Sequence, residues 1–437
     1  MKQVIRCVGL WLALFPFLAS VAHAAPLDTA LDQGKVTEAV PLIEQTWEKQ
    51  YEDYFRVTFP DPSIAAVDVA KTLGQLATQT GKKPALIYVV PRAKQLELVL
   101  ITPGQSPVQK RIAAASNSVL LSQVKQFSQA IADPRLKPSN QYLPAAQQLY
   151  EWIISPLEAE LTAQKIDTLI FCLGVGLRTL PLSALHDGQQ FLVEKYSLAR
   201  IPAFTLTDTL YADIRRAPVL AMGASSFKEQ SPLPGVPVEL FLVARNTKSR
   251  KFFLNQDFTL ANLQRQRQSQ AFKIIHLATH ADFQPGDARN SYIQLWNDKL
   301  QLNEMQQLRW QNPPVELLVL SACKTALGDR NAELGFAGLA VQSGVKSAIA
   351  SLWYVSDKGT LSLMSEFYRQ LQTAPIKAEA LRQVQISLLR GQVRIENGQL
   401  RSSRGPFSLP PELAAGENEE LSHPYYWAAF TVVGSPW

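Results

Sequence analysis

The sequence predicts an α/β fold: a mostly parallel sheet flanked by helices, preceded by a helical N-terminal flank. Three observations carry that expectation. Two short apolar runs, residues 273–280 and 316–323, are β-branched or leucine-rich and pass at once into polar, glycine-containing sequence, the pattern of buried parallel strands. A helix-like stretch from Gly335 to Gly344 joins the second run to another, residues 346–353, and a strand–helix–strand order of this kind is a right-handed parallel crossover. Helical patterns at about 358–374 and 377–390 then supply cover for the sheet.

Composition bounds the rest. The 437 residues are 46% hydrophobic and only 18% charged, enough for one large core or two ordinary ones. The net charge of +6 includes Lys2 and Arg6, and no Lys/Arg block with interleaved aromatics stands out, so nucleic-acid binding is not indicated. Residues 1–24 have the basic start, apolar middle and small-residue end (Ala22-His23-Ala24) of a secretory signal peptide. The apolar middle, Cys7 to Ala22, contains Pro16 and falls short of the ~20 residues a spanning helix needs. The mature chain is therefore expected to have no membrane span and to be exported, to a periplasmic or extracellular location. Only Cys172 and Cys323 would remain, too few for a disulfide framework.

Along the chain, residues 25–80 read as a helical flank. Val36, Ala39, Val40, Ile43 and Trp47 recur at helical spacing, with Gly34 and Glu38 placed as in a tetratricopeptide-like helix, but one such helix is not an array. Residues 85–90 and 96–102 form a predicted hairpin that opens the sheet region. Amphipathic helices follow at about 116–132 and 144–163, the second kinked at Pro156. The apolar runs 168–173 and Phe191–Val193 flank a turn-rich segment; residues 218–224 read as a strand ending in glycine, and the Leu233-Pro-Gly-Val-Pro sequence opens a helix. A further helix spans about 257–270. Gly344 should cap the 335–344 helix in the left-handed conformation. Residues 396–422 are polar and aperiodic and read as a long loop, and a last strand is expected at 426–433.

Two residues capable of chemistry end the opening pair of runs. If the strands stop at His280 and Cys323, neighbouring strands present an imidazole and a thiol at the carboxyl edge of the sheet, where open parallel sheets bind ligands. The thiolate is the nucleophile of such a pair, and the imidazole withdraws its proton and later protonates the leaving amine. Lys324, next to the thiol, would favour the thiolate.

At these residues the chain resembles the CHAT domain, a caspase-like domain often accompanied by tetratricopeptide repeats and related to separases. The likeness covers Phe272–His280, Asn312–Leu327, Glu333–Asp357 and His423–Phe430, and loosely everything from Pro84, so that residues 81–437 would be the domain, with core motifs in 165–437. The resemblance implies a caspase-like fold and a cysteine endopeptidase with a Cys323–His280 dyad. It implies an oxyanion hole from the backbone N–H groups of Ala281 and Cys323, and a pocket for the residue before the scissile bond made by Trp353, Val355 and Asp357. In separases the corresponding aspartate pairs with a basic substrate residue, which here implies cleavage after Arg or Lys. Asp357 is also placed to cap a helix beginning at Lys358.

The partner implied is a protein or peptide substrate; no metal or organic cofactor is required, and no oligomeric state is indicated. Ala281 stands where the family usually has glycine and Lys324 where it commonly has glutamate. A second class therefore stays in play, a protein-interaction module that keeps the fold without turnover. His276 lies four residues before His280, but Leu277 replaces the glutamate of a zinc-binding helix pair, and it reads as an interior histidine, as His186 and His423 read as structural. Cys172 sits in an apolar run and reads as packing; whether it pairs with Cys323 in an oxidising compartment is left open by the sequence.

Overall fold

The computed structural model describes residues 26–60, 63–247, 251–325, 327–403, 405–414 and 418–437; the side chains of Ala322 and Cys323 and the expected signal peptide lie outside the described residues. Sixteen strands are described in chain order. They are β1 (Pro84–Pro91), β2 (Leu96–Ile101), β3 (Val108–Ile112), β4 (Thr168–Leu173), β5 (Ser197–Ile201), β6 (Val219–Gly223), β7 (Phe252–Leu254) and β8 (Ile274–Phe283). Then follow β9 (Tyr292–Gln294), β10 (Lys299–Gln301), β11 (Leu317–Thr325), β12 (Ser347–Ser351), β13 (Arg394–Glu396), β14 (Gln399–Ser402), β15 (Gly405–Ser408) and β16 (Phe430–Gly434).

Thirteen of these build one sheet in the order β10-β9-β8-β11-β12-β16-β5-β4-β1-β2-β3, with β6 and β7 beside β8. The sheet contains two parallel blocks. Strands β7, β6, β8, β11 and β12 run one way, and β16, β5, β4 and β1 run the other, the reversal falling at the antiparallel β12–β16 pair. Strands β4, β5, β6 and β12 are buried along their whole length, and β8 and β11 through their first halves, as in a sheet covered on both faces, which is why they read as continuous apolar runs rather than alternating ones.

The N-terminal flank is part of the same core. The Val36–Phe55 and Ala66–Thr80 helices bury Val40, Ile43, Trp47, Tyr51 and Leu73 in a cluster continuous with the sheet, and the Trp47 ring lies 5.8 Å from that of Tyr88 on β1. Glycines in the Arg330–Ala337 helix and just after it make room for this flank. A Cβ on Gly335 would meet Tyr54 Oη at 2.9 Å, and one on Gly338 would meet Phe55 Cε2 at 2.6 Å. Gly344 ends the next helical turn at φ 77°, as its sequence position suggests.

Several expectations change. Residues 396–422 are not a plain loop: β13–β15 form a small antiparallel sheet, Ile395 bridges to Glu419, and Leu400, Leu409, Leu413 and Leu421 are buried. Their polar, short strands gave no periodicity long enough to read. Phe191 caps a short helix, Leu192–Lys195, and the strand follows it as β5. The last strand starts at Phe430, because Pro424 opens a helical turn over the Tyr-Tyr-Trp sequence. Cys172 and Cys323 lie on strands four places apart, roughly 19 Å at ~4.8 Å per strand. A disulfide needs Cα atoms within about 7 Å, so the two do not pair in this fold.

If Gly335 and Gly338 exist to admit Tyr54 and Phe55, Gly338→Ala should lower stability by about 1–3 kcal/mol, the usual cost of overpacking. Thermal unfolding of the purified protein reads it, and an unchanged midpoint would mean the flank is not locked there.

Candidate active site

Strands β8 and β11 are parallel neighbours, in register from Leu317 opposite Ile274 to Leu320 opposite Leu277. Past that point β8 takes three steps where β11 takes two, so His280 comes opposite Ala322 and Cys323 opposite Ala281. This bulge shifts the register by one residue. Backbone geometry of adjacent strands then sets His280 and Cys323 about 6 Å apart at Cα, from a strand spacing near 4.8 Å and a rise near 3.3 Å. The sheet brings together the two residues that the sequence singles out.

The strands do not stop there. β8 continues to Phe283 and β11 to Thr325, because Phe283 and Ile293 are buried and the β9–β10 hairpin pairs with the extension. Ala281 is consequently in register with Cys323 on one side and Ile293 on the other. Its backbone lies inside the sheet, whereas an oxyanion donor has to point at an open position. Lys324 is exposed.

His280 is held from the loop between β6 and the Val236–Asn246 helix. Its Nε2 lies 2.8 Å from the Ser231 carbonyl oxygen, and the Phe227 ring packs against the imidazole at 4.8 Å. A carbonyl only accepts, so Nε2 carries the proton and Nδ1 is left as the basic nitrogen. Burial moves the His280 pKa below its ordinary value, against the opposing influence of the Ser231 bond and the Asp282 charge. Burial thus favours the neutral ring, the form able to accept a proton.

The same loop ends at Asp357. This residue does not cap its helix: Ser356 is the N-cap of Asp357–Gln370 and accepts from the Gly359 N–H at 3.2 Å. Asp357 occupies the first turn, and its Oδ2 accepts from the backbone N–H of Gly235, where the Val236–Asn246 helix begins. Gly235 has to be small, since a Cβ there would come within 2.9 Å of the Asp357 carboxylate. Burial raises the Asp357 pKa to about 6; the Gly235 bond opposes the rise and the charge of Glu239 adds to it. No Lys or Arg is paired with Asp357 among the described residues.

Below Asp357, Glu239 is buried with its Oε1 2.9 Å from His276 Nε2, though without hydrogen-bond alignment, and His276 Nδ1 lies 3.1 Å from the Tyr368 hydroxyl. His276 is thus the interior histidine expected. Trp353 and Val355 are core residues: Trp353 is 5% exposed with its indole N–H on the Tyr425 carbonyl, and Val355 is 3% exposed. They back the wall rather than face an opening. His186 accepts from Gly188 N–H and His423 caps the Pro424 helix, so both are structural. Cys172 is fully buried, its thiol directed to the Pro202 carbonyl and its pKa pushed up by burial.

Ser231, Phe227, Gly235 and Glu239 were not legible as site residues. Ser231 and Gly235 act through backbone groups, which any residue type supplies, and only the Leu233-Pro-Gly helix start hinted that a turn lay there. Among the described residues no group of three or more His, Cys, Asp or Glu could hold a metal, and no helix is long and apolar enough to cross a membrane.

A search of curated proteins finds no match to the chain. Among solved structures it is similar to the Saccharomyces cerevisiae separase in complex with securin, seen in two crystal structures. The TM-scores are 0.51 and 0.53, at 10% sequence identity, covering 93% of this chain and 34% of the other. The chain thus spans about a third of that protein's length, and at this identity the likeness shows the fold alone: a caspase-like, mostly parallel sheet flanked by helices. A complex of the Porphyromonas gingivalis RgpB pro- and mature domains gives 9% identity and a TM-score of 0.38, covering 80% of this chain and 78% of the other, too loose to argue from. The model of the CHAT domain matches residues 143–435, well over half of the sequence, and includes both His280 and Cys323. The chain belongs to the CHAT domain family.

Proposed function

We propose that the protein is an exported cysteine endopeptidase that cleaves peptide chains after a basic residue. The observation that carries the proposal is His280: it sits on the strand beside that of Cys323, fixed through Nε2 by the Ser231 carbonyl, which leaves Nδ1 as the nitrogen that can accept a proton. In the proposed reaction the Cys323 thiol gives its proton to His280 and the thiolate adds to the peptide carbonyl. The carbon–nitrogen bond breaks as His280 returns the proton to the departing amine, and water then hydrolyses the thioester. Backbone N–H groups of Cys323 and Ala281 would hold the oxyanion, which requires the Ala281 position to open on one side when substrate binds.

Asp357 would take the basic side chain. A half-buried carboxylate with a raised pKa, a second carboxylate beneath it and no cationic partner is an environment that an incoming guanidinium or ammonium would relieve.

The second reading, an interaction module without turnover, draws on Ala281, whose two-sided pairing leaves no open donor. A protein or peptide would be the partner in either case, and the separase neighbour is itself seen with securin. Alkylation separates the readings. At a low reagent dose near pH 6, an activated Cys323 should label quickly while Cys172 stays unlabelled, and the label should slow in His280→Ala. Equal sluggishness at both cysteines would favour the module.

For the basic-residue preference, Asp357→Ala should cost roughly 2–5 kcal/mol in transition-state binding of Arg or Lys substrates, about 30- to several-thousand-fold in kcat/KM. The pH dependence has a definite sign. Asp357 gains a proton as pH falls through about 6 and loses the charge that binds the substrate cation. In the wild type, kcat/KM for basic peptides should therefore drop about tenfold per pH unit below that value. Asp357→Asn should remove Asp357's share of this limb and leave the shallower one set by protonation of His280, and an acid limb identical to the wild type's in midpoint and steepness would remove Asp357 from the pocket.

A further inference from the structure

Across the active edge the strand order is β12, β11, β8, β9, β10. Chemistry follows the same order: β12 leads to Asp357, β11 bears Cys323 and β8 bears His280. On the peptidase reading, on which this inference rests, a bound peptide lies along that row. Its residue before the scissile bond is at Asp357, its carbonyl at Cys323 and its departing nitrogen at His280. The next residue must then continue past β8 toward β9 and β10.

A cavity of about 260 Å³ opens there, between the loop that holds His280 and the turn joining β9 to β10. It adjoins the imidazole through Phe227, which is both one of its walls and the ring that packs against His280, tilted by 58° at 4.8 Å. Phe227 and Trp296 are half-buried in it, while Lys228, Glu229, Asp298 and Lys299 are exposed at its rim. Two charges of each sign offer no net attraction for an ion, and the half-buried surface is made by the two aromatic rings together with the uncharged amides Gln230 and Gln294.

We infer that this cavity is the subsite for the residue immediately after the scissile bond, and that it selects a large uncharged side chain, aromatic or branched aliphatic. The loop 224–235 then serves the whole row: its first part forms this subsite, Ser231 fixes the base, and Gly235 touches the acid of the opposite subsite.

The test is a peptide library with Arg fixed before the scissile position and every residue type after it, cleaved by the full-length wild type, Trp296→Ala, Trp296→Phe and Cys323→Ala. Expected is Cys323-dependent cleavage favouring Phe, Tyr or Leu over Gly, Asp and Lys by about tenfold or more. Trp296→Ala should flatten that preference while keeping the requirement for Arg, and Trp296→Phe should retain most of it. A Trp296→Ala profile identical to wild type, or a wild type indifferent at this position, overturns the subsite. Absence of any Cys323-dependent product is a different result, which overturns the peptidase reading and the subsite with it.

Discussion

The parallel pairing of β8 with β11 is the constraint on which the rest of the site depends. Neither His280 nor Cys323 is near the other in sequence, and only the ladder that begins at Leu317 opposite Ile274 brings them together. The paired halves of these strands are buried on both faces, so a slip would force every leucine and isoleucine out of the packing it fits. The one-residue bulge after Leu277 sits inside this rigid frame. Without it, His280 would come level with Cys323; with it, Ala281 does. The bulge thus decides which β8 residue sits level with Cys323, and it leaves the register of the first half of the strand unchanged.

Around that frame a single connection does most of the positioning. The loop from β6 to the Val236–Asn246 helix crosses the edge of the sheet and meets His280 twice, through a carbonyl and an aromatic ring, before ending on Asp357. Its contacts are mutually dependent. The Gly235 N–H reaches the carboxylate only because glycine leaves space, and the Ser231 carbonyl fixes the tautomer only while the loop keeps its path. A displacement of the loop would therefore alter the surroundings of His280 and of Asp357 together.

Much of this was legible in the sequence because it is written in long apolar runs. The strands β4, β6, β8, β11 and β12, the hairpin of β1 and β2, and the crossover through Gly344 all have periods or glycine stops that local rules can read. The pairing of a Cys strand with a His strand followed from their common form. What was not legible falls into two kinds. Short strands such as β3, β9, β10 and β13–β15 lie at or next to the edge of the large sheet or in the small three-stranded one, where ladders of a few residues suffice and no long hydrophobic pattern is imposed. Backbone contacts, such as those of Ser231 and Gly235, leave no trace in side-chain identity. The extension of β8 to Phe283 belongs with the first kind, since the hairpin that supports it was itself unread.

The motif shared by Leu177–Pro181 and the Glu333 helix carries a further consequence. Glu333 is a buried carboxylate that accepts from Gly176 N–H and Thr179 Oγ1, its pKa raised by burial and held back by Arg178 and Arg200. Arg200 in turn donates to the carbonyls of Arg178 and Leu180, and Arg178 stacks on Tyr51 from the N-terminal helix. The Glu333 charge is favoured by the two guanidiniums nearby, and a buried ion deprived of such neighbours costs far more than the group contributes. These residues join the strands of the second parallel block, the N-terminal flank and the helix that follows the Cys323 strand. Gly335 and Gly338 on and beside that helix then admit Tyr54 and Phe55. The residues before the matched region are therefore structural members of the half that carries Cys323: they press on the segment that returns from it, and the candidate site is held in place from behind by parts of the chain far from it in sequence.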